Sequence, residues 1–300
     1  MDNQSTWKVG VVGLGAMGSG ITQVVASHGY AVTAVDTSDE RCQQGIDRIE
    51  RFMQRGIELG KTRPEDRDRV LNGIRVSTSL GDLALNDVII EAVYENLGVK
   101  QEVFRGLLPY VSANTILATN TSGLSVHAIA QGLPLTMPLI GLHFFNPPQL
   151  MRLVEVVSPL EVSSDVIGQV KAFCNAIGKE PVVVKDRPGF LVNRLLIPYL
   201  NQAIDAVDHQ LASREDLDNA VELGLGYPMG PLKLLDQIGL DVHLHATTAL
   251  YQQTYLPEFR PPIILEELVD AGRLGHKTGR GFYSYGKGKQ SVAHDDGSDE

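Results

Sequence analysis

The sequence predicts an α/β fold: a doubly wound, mostly parallel sheet with an inserted helical hairpin, followed by an all-α C-terminal domain. Three observations support this prediction. Residues 8–36 have the pattern of a strand, a glycine turn, a helix and a second strand, which is one βαβ unit. Further short apolar runs follow, separated by stretches with helical periodicity. After residue 185 the strand-like runs stop and only helical periodicity remains.

The first domain, residues 1–185, is predicted to hold the whole sheet. The charged stretch 39–72 has helical periodicity with a break near "GKTRPED", which predicts the inserted hairpin. The runs "DVIIEAV", "TILATNT" and "PLIGLHFF" continue the sheet. The last two strands, "LVEVV" and "EPVVVKD", flank a helix predicted over 164–177.

The stretch "GLHFFNPPQLMRLVEVV", residues 141–157, predicts a chain reversal about Gln149. Such a reversal places positions whose numbers sum to 298 opposite one another, and His143 and Glu155 form one of these pairs. A glutamate inside an apolar strand points into a packed interior, where an unpaired carboxylate is costly. The residues alone leave two interpretations open, a buried structural pair and a catalytic dyad.

The second domain is predicted to be helical and to span residues 186–285. Its first segment, "FLVNRLLIPYLNQAIDAVDH", has the pattern of a long helix, and Ser213 begins a capping box in "SREDLDNAVELG". The polar tail, residues 286–300, is expected to be disordered.

Composition limits the classes of partner. The chain has 300 residues, 43% of them hydrophobic, which is enough for two domains. Its net charge of -10 argues against nucleic acid or an anionic membrane as a partner, although a local basic patch could still bind a phosphorylated ligand. Two distant cysteines, no metal-ligand spacing, no secretory signal and no long apolar run predict a cytoplasmic protein with no metal site.

The hexapeptide "GLGAMG", between a predicted strand and a predicted helix, is the candidate cofactor loop. Its first glycine permits a tight turn, its second lets a pyrophosphate approach the backbone, and its third allows close packing of helix on strand. Asp36 ends the next strand, where a carboxylate accepts hydrogen bonds from ribose hydroxyls and repels a 2′-phosphate. The context predicts a Rossmann-type domain that prefers NAD to NADP, the alternative being a glycine turn with a capping aspartate. The loop residues are Gly13, Leu14, Gly15, Ala16, Met17 and Gly18.

Polar residues accumulate where the predicted strands end, which is where ligands bind in parallel sheets. Each one alone could cap a helix or satisfy the backbone, but together they favour a site. A histidine suits proton transfer during hydride transfer, and a carboxylate beside it fixes its tautomer. The candidates are Glu91, Glu95, Lys100, Asn120, Ser122, His143, Asn146 and Asn193.

These residues lie within motifs that resemble the short-chain L-3-hydroxyacyl-CoA dehydrogenase family, which includes the bacterial 3-hydroxybutyryl-CoA dehydrogenases. The motifs occur in the family's order and cover most of residues 8–285: "GLGAMGSGI", "EAVYENLGVKQEVF", "ATNTSGLS", "GLHFFNPPQLMRLVEVV", "DRPGFLVNRLLIPYLNQAI", "GYPMGPLKLLDQIGLD" and "HKTGRGFYSY". Several of these motifs are specific, and the combination of "HFFNP" with "LVEVV" and "YPMGP" is not a generic dehydrogenase signature. One departure is Gly123, which follows Ser122 where the family usually has a second serine.

The resemblance implies an NAD-dependent oxidation of L-3-hydroxyacyl-CoA. His143 would be the catalytic base and Glu155 would orient it, while Ser122 and Asn193 would hold the substrate's C3 oxygen. The resemblance also implies a homodimer through the C-terminal domain. The implied NAD contacts outside the glycine loop are Asp36, Glu95, Lys100, Ser122, Asn146 and Lys277.

The hairpin is the part of the chain that matches the family least. Arg48, Arg51 and Arg55 are spaced by three and four residues, so a helix would place them on one face. Guanidinium groups suit phosphate geometry, so these arginines are candidate contacts to the CoA phosphates. The alternative is a solvated face balanced by Glu50 and Glu58.

Other functions remain open at this point. A dehydrogenase of free 3-hydroxy acids is disfavoured, because the related decarboxylating enzymes use a lysine where this chain has Asn193. An acyl-carrier-protein substrate in place of CoA is hardly excluded. A protein that keeps the fold and the NAD site without turnover, as when dehydrogenases are recruited as lens proteins, is opposed by the intact set of catalytic residues.

Overall fold

The computed structural model describes residues 7–134 and 136–286, and it confirms the predicted α/β fold class. The chain divides into two compact units, with the division between Arg187 and Pro188. The first unit contains an eight-stranded sheet, and the second is helical.

The sheet has the strand order β3-β2-β1-β4-β5-β6-β7-β8. Neighbouring strands are parallel except β6 and β7, which are antiparallel. An order that starts in the middle and grows outwards in both directions is that of a doubly wound fold. The strands are β1 Lys8–Val12, β2 Ala31–Val35, β3 Ile74–Ser77, β4 Val88–Glu91, β5 Ile116–Thr119, β6 Leu139–Phe144, β7 Leu153–Ser158 and β8 Glu180–Lys185.

Helices connect these strands, and several begin where the sequence supplies a start signal. The hairpin helix α2 begins after Ser38, whose hydroxyl caps the amide of Arg41, and α3 begins with Pro64 at its first position. The helices of the first unit are α1 Ala16–Ser27, α2 Asp39–Glu58, α3 Pro64–Asn72, α4 Leu97–Leu107, α5 Val126–Ile129 and α6 Ser164–Ala176.

The central strands are buried along almost their whole length. Every residue of β4, β5 and β6 is buried, as expected of strands covered on both faces. Valine and isoleucine are the commonest residues of this core, and polar residues of the candidate site are buried with it. Two of these, Glu91 at the end of β4 and His143 near the end of β6, lie close to the carboxyl edge of the sheet.

The register of β6 and β7 confirms the predicted chain reversal. Gly141 pairs with Val157 and His143 pairs with Glu155, so each pair of numbers sums to 298. Paired residues on antiparallel strands project from the same face of the sheet. The strand pairing therefore places the side chains of His143 and Glu155 next to each other.

The second unit packs its helices around a leucine-rich core. Ser213 caps the amide of Asp216 at 3.1 Å, which confirms the predicted start of α8. Within the described residues this unit has no named strand, only isolated bridges between residues 275 and 284. Its helices are α7 Val192–Asp208, α8 Arg214–Leu225, α9 Pro231–Ile238, α10 Leu240–Thr254 and α11 Ile263–Asp270.

Two buried aspartates explain the motifs of the second unit. Asp218 accepts the amide hydrogens of Leu232 and Lys233 at the start of α9, directly after "YPMG". Asp236 accepts the amides of Phe282 and Tyr283. In this unit, therefore, "YPMGP" and "GFYSY" are stabilised by hydrogen bonds to carboxylates in its interior.

The polar tail lies outside the described residues from position 287 onwards. Among the helices that are described, none has the length and apolar character needed to cross a membrane. Cys42 and Cys174 are both buried and free.

Candidate active site

His143 and Glu155 form a buried hydrogen bond between β6 and β7. The distance from His143 Nδ1 to Glu155 Oε2 is 2.7 Å, and the residues are 5% and 0% exposed. A carboxylate accepts hydrogen bonds and does not donate them, so Nδ1 carries the shared proton. In the neutral ring this leaves Nε2 as the basic nitrogen.

The end of β6 is held by its neighbours. Asn120, at the end of β5, accepts the amide hydrogen of Phe144 at 2.9 Å through its side-chain oxygen. The ring of Phe145 packs against His143 with centroids 4.5 Å apart. Asn120 was one of the strand-end candidates, and in this structure its side-chain oxygen fixes the backbone next to His143.

The glycine loop has three glycines with different geometric roles. Gly13 has φ of +92°, and a Cβ on Gly18 would lie 1.7 Å from the Gly13 carbonyl oxygen, so neither position accepts a larger residue. A Cβ on Gly15 would meet nothing within 4 Å. Gly15 precedes α1, whose amino end has no side-chain cap. Open space beside an uncapped helix start suits an anionic group such as a pyrophosphate.

A hydrogen bond between Asp36 and Leu14 connects the end of β2 to the glycine loop. Asp36 Oδ2 accepts the Leu14 amide hydrogen at 2.7 Å, and Oδ1 accepts the Thr37 amide at 2.7 Å. A carboxylate offers about four acceptor positions, so a ribose hydroxyl can share this group. Both interpretations of Asp36, as a turn cap and as a ribose acceptor, are therefore compatible with its geometry.

A buried ion pair joins β4 to α4. Lys100 Nζ lies 2.7 Å from Glu91 Oε1, and both side chains are almost completely buried. Glu91 Oε2 accepts the hydroxyl hydrogen of Thr119 at 2.7 Å, and Oε1 also accepts the Val93 amide. Both carboxylate oxygens of Glu91 are thus hydrogen-bonded to protein groups.

Glu95 extends this network to the loop that carries Ser122. Its Oε2 lies 3.1 Å from Lys100 Nζ, while Oε1 accepts hydrogen bonds from the Thr121 hydroxyl and the amides of Ser122 and Gly123. Burial alone would raise the pKa of Glu95, but the Lys100 ammonium and the donors on residues 121 and 122 lower it overall. Glu95 is therefore a charged anchor for this loop.

Lys100 has its three hydrogens directed at protein acceptors: Glu91, Glu95 and, at 3.3 Å, the Val93 carbonyl. A direct contact between Lys100 and NAD stays a prediction. In the structure Lys100 holds the carboxylates of Glu91 and Glu95 together after the end of β4.

The remaining predicted contacts are divided between the two units. Ser122 and Asn146 follow β5 and β6 in the first unit, and both are exposed. Asn193 is in the first turn of α7 in the second unit, as predicted for a helix-start residue. Lys277 is also in the second unit, where its ammonium lies 2.7 Å from Asp241 Oδ2. Contacts of Asn193 and Lys277 with substrate or cofactor stay predictions.

The three hairpin arginines have different environments. Arg48 is partly buried and donates to the carbonyl oxygen of Leu14 in the glycine loop at 3.2 Å. Arg51 is exposed, and Arg55 pairs with Glu58 on the surface. The Arg55–Glu58 pair agrees with the alternative of a solvated face, and the orientation of Arg48 was not foreseen.

Sequence reasoning missed two features of this site. Glu91 was recognised as a strand-end candidate without a role, although an acid in a fully apolar strand already requires a buried partner. Thr119 and Thr121 were not identified. A threonine at every second position of "TNT" is the available signal, because residues i and i+2 of a strand share a face.

No metal is implied by the arrangement. Across residues 7–134 and 136–286 no group of three or more histidine, cysteine or acidic side chains is placed to hold a metal ion.

Two family models match the chain. The one described as the NAD binding domain of 3-hydroxyacyl-CoA dehydrogenase matches residues 8–187, and the one for the C-terminal domain of 3-hydroxyacyl-CoA dehydrogenase matches residues 189–285. Together they cover nearly all of the described residues.

Individual relatives agree with the family models. The chain is 40% identical over 280 residues to the 3-hydroxybutyryl-CoA dehydrogenase of Mycobacterium tuberculosis, covering 93% of this chain and 98% of the relative. It is 39% identical over 284 residues to the mitochondrial hydroxyacyl-coenzyme A dehydrogenase of Sus scrofa, covering 92% and 90%. The crystal structure of (S)-3-hydroxybutyryl-CoA dehydrogenase from Ralstonia eutropha matches with a TM-score of 0.88 at 40% identity, covering 94% of this chain and 100% of that one.

Proposed function

The chain belongs to the 3-hydroxyacyl-CoA dehydrogenase family, and we propose that it interconverts a short-chain L-3-hydroxyacyl-CoA and the 3-oxoacyl-CoA with His143 and Glu155 as its acid–base pair. It is an NAD-dependent oxidoreductase. The observation that carries the proposal is the bond from His143 Nδ1 to Glu155 Oε2, formed by paired residues on adjacent buried strands.

The residues of the first unit fit NAD. The space beside Gly15 and the uncapped start of α1 would receive the pyrophosphate, and Asp36 would accept the adenosine ribose hydroxyls. The charge on Asp36 disfavours the 2′-phosphate of NADP. When bound, NAD supplies the acceptor for the hydride that leaves C3 of the substrate.

His143 moves the proton. In oxidation its Nε2 accepts the proton of the C3 hydroxyl, and the ring becomes a cation next to the carboxylate of Glu155. The carboxylate holds the ring orientation and stabilises this cation, which would otherwise be costly in a buried position. In reduction the protonated ring serves as the acid.

Substrate positioning is assigned to Ser122 and Asn193. Their side chains would hold the C3 oxygen so that the C–H bond is aligned for hydride transfer. Glu95 fixes the Ser122 loop through two backbone amides, which gives Ser122 a defined position. Short-chain specificity is supported by the relatives that act on 3-hydroxybutyryl-CoA.

We further propose a homodimer formed through the helical unit, in the cytoplasm. Large apolar side chains are exposed on this unit, among them Leu211, Leu223 and Leu225. An interface formed through this unit would remove such side chains from water, which favours association. Replacing Leu223 by glutamate is expected to yield monomers in analytical ultracentrifugation, whereas a variant that stays as associated as wild type would argue against this surface.

The direct test is NADH formation with L-3-hydroxybutyryl-CoA, beside free L-3-hydroxybutyrate and the D-thioester. Wild type is expected to oxidise the L-thioester alone, and His143→Ala to lose about two to four orders of magnitude in kcat while keeping its NADH affinity. His127→Ala, an exposed histidine on α5, is the control and is expected to match wild type.

The other outcomes identify the alternatives. Equal turnover of the free acid would remove the CoA requirement. Turnover of a 3-hydroxyacyl carrier protein, but of no CoA thioester, would reassign the substrate carrier. Binding of NAD without oxidation of any of these compounds would indicate a non-catalytic protein on the same fold.

A further inference from the structure

Arg48 touches the glycine loop from the neighbouring hairpin. Its Nη1 donates to the carbonyl oxygen of Leu14 at 3.2 Å, 34 residues earlier in the chain. The contact is close because α2 packs directly on Leu14: a Cβ on Gly45, one turn before Arg48, would lie 2.6 Å from the Leu14 Cβ. The hairpin and the cofactor loop are thus packed against each other.

Both the backbone amide and the carbonyl oxygen of Leu14 form hydrogen bonds with side chains. Its amide hydrogen is accepted by Asp36 Oδ2 at 2.7 Å, and its carbonyl oxygen accepts from Arg48. The peptide between Leu14 and Gly15 is planar and trans, so its C=O and N–H point in opposite directions. Holding the carbonyl towards α2 directs the Gly15 amide hydrogen away from α2. The space beside Gly15 is open.

The guanidinium of Arg48 also has a hydrogen-bond donor and a positive charge that the contact with Leu14 does not use. Arg48 Nε is buried and has no hydrogen-bond partner, and no ion pair of Arg48 occurs within the described ranges 7–134 and 136–286. A partly buried, uncompensated positive charge next to an uncapped helix start adds to the field that attracts an anion.

We propose that Arg48 is a positioning residue for the NAD pyrophosphate, which it serves by orienting the Leu14–Gly15 peptide, and that it is not a contact to the CoA phosphates. This inference deepens the proposed function and rests on it for the identity of the dinucleotide. Under this proposal Arg48 has a different role from Arg51 and Arg55, although helical spacing places all three on one face.

The test compares dinucleotide binding with acyl-CoA kinetics. The dissociation constants of NADH and of ADP-ribose, which contains the pyrophosphate but no nicotinamide, are measured by calorimetry in the absence of substrate. Arg48→Met is expected to weaken both by the same factor, about tenfold to a hundredfold, as for the loss of one charge-assisted hydrogen bond. The KM for L-3-hydroxybutyryl-CoA at saturating NAD is expected to stay unchanged.

Two further variants exclude a general structural effect. Arg48→Lys keeps the charge and is expected to recover part of the affinity. Arg69→Met, which removes an exposed arginine of the same hairpin, is expected to match wild type. Unchanged NADH and ADP-ribose affinities in Arg48→Met would overturn the proposal. So would a raised KM for the acyl-CoA with unchanged NADH affinity, which would assign Arg48 to the CoA phosphates.

The role of Arg48 and the identity of the substrate are tested by different measurements. If wild type binds NADH, Arg48→Met weakens that binding and no acyl-CoA is oxidised, the role of Arg48 stands and the substrate assignment falls. If wild type binds neither NADH nor ADP-ribose, the role of Arg48 and the NAD site fall together.

Discussion

His143 and Glu155 are twelve positions apart in the sequence, lie opposite each other on antiparallel strands, and share a hydrogen bond of 2.7 Å. Both strands belong to one sheet, so the distance between the two side chains is set by strand pairing. Loop motion has little influence on a pair held in this way. The pair is a rigid unit in which the carboxylate keeps a fixed orientation towards the ring.

Replacing Glu155 by glutamine should separate this orienting role from packing. Glutamine has nearly the same shape and can keep one hydrogen bond, but it carries no charge to stabilise the protonated ring. We expect kcat to fall about 10²–10⁴-fold, the range seen when the acidic member of a His–carboxylate pair is neutralised. NADH affinity should be unchanged. Initial-rate kinetics and NADH titration measure both, with the exposed Glu161→Gln as control. A kcat close to that of wild type would make the pair merely structural.

Two substitutions in the glycine loop should distinguish an effect on NADH binding from an effect on folding. Gly15→Ala places a methyl group in open space with a compatible φ of -64°, so stability should change by less than about 1 kcal/mol. The same methyl group would occupy the pyrophosphate position, so NADH affinity should fall by about tenfold or more.

Gly18→Ala, in contrast, should act first on the stability of the fold. Its Cβ would lie 1.7 Å from a backbone oxygen, so the unit should be destabilised by at least about 1–3 kcal/mol. Urea unfolding and NADH titration of both variants check this contrast. Equal effects of the two substitutions on stability would contradict it.

Removing Lys100 should destabilise the protein through charge. In Lys100→Met the buried carboxylate of Glu91 loses its cation, as does the partly exposed Glu95. We expect a loss of about 3–5 kcal/mol in the free energy of unfolding, as for a buried pair that loses one partner. Lys171→Met, an exposed lysine on α6, is the matched control. If urea unfolding gave the same midpoint for both variants, the network would contribute little to stability.

The helical unit should respond to pH through His243. Burial lowers the pKa of His243 to about 4, and its Nε2 is bonded to Asn201. The folded protein keeps the ring neutral, while the unfolded chain binds a proton below about pH 6.5. The stabilisation is therefore complete above pH 6.5 and is lost as the pH falls towards 4, by about 1.4 kcal/mol per pH unit.

His243→Gln should flatten this part of the stability profile, because glutamine can donate to Asn201 but does not titrate. His245→Gln, on an exposed position of the same helix, should retain the wild-type slope. Urea unfolding at several pH values between 4 and 7 measures the slopes. An unaltered slope in His243→Gln would assign the pH dependence to other groups.

The sequence was informative wherever a local pattern determined the structure. The βαβ unit, the cap at Ser213 and the β6–β7 register all follow from neighbouring residues, so they were predictable. The strand β3 was not, because it has only four residues and Arg75 and Val76 in its middle are exposed. A short edge strand lacks the apolar signal of a buried one.

Long-range polar contacts were the main gap. Helical spacing places Arg48 and Arg55 on one face, yet only Arg48 lies against Leu14, because α2 meets the glycine loop at one of its turns. The partners of Lys100 depend on how α4 packs behind β4, which no local pattern encodes. Side-chain partners are decided by tertiary packing, and a single sequence does not specify it.

Asp36 illustrates a limit on changing the cofactor. An acid that binds the ribose hydroxyls disfavours the 2′-phosphate of NADP, so a change of cofactor would require its removal. Asp36, the proposed ribose acceptor, also accepts the amide hydrogen of Leu14, so Asp36→Ser or Asp36→Gly would remove a hydrogen bond that holds the glycine turn. A redesign of this chain therefore has to supply a new acceptor for that amide before it supplies a partner for the extra phosphate.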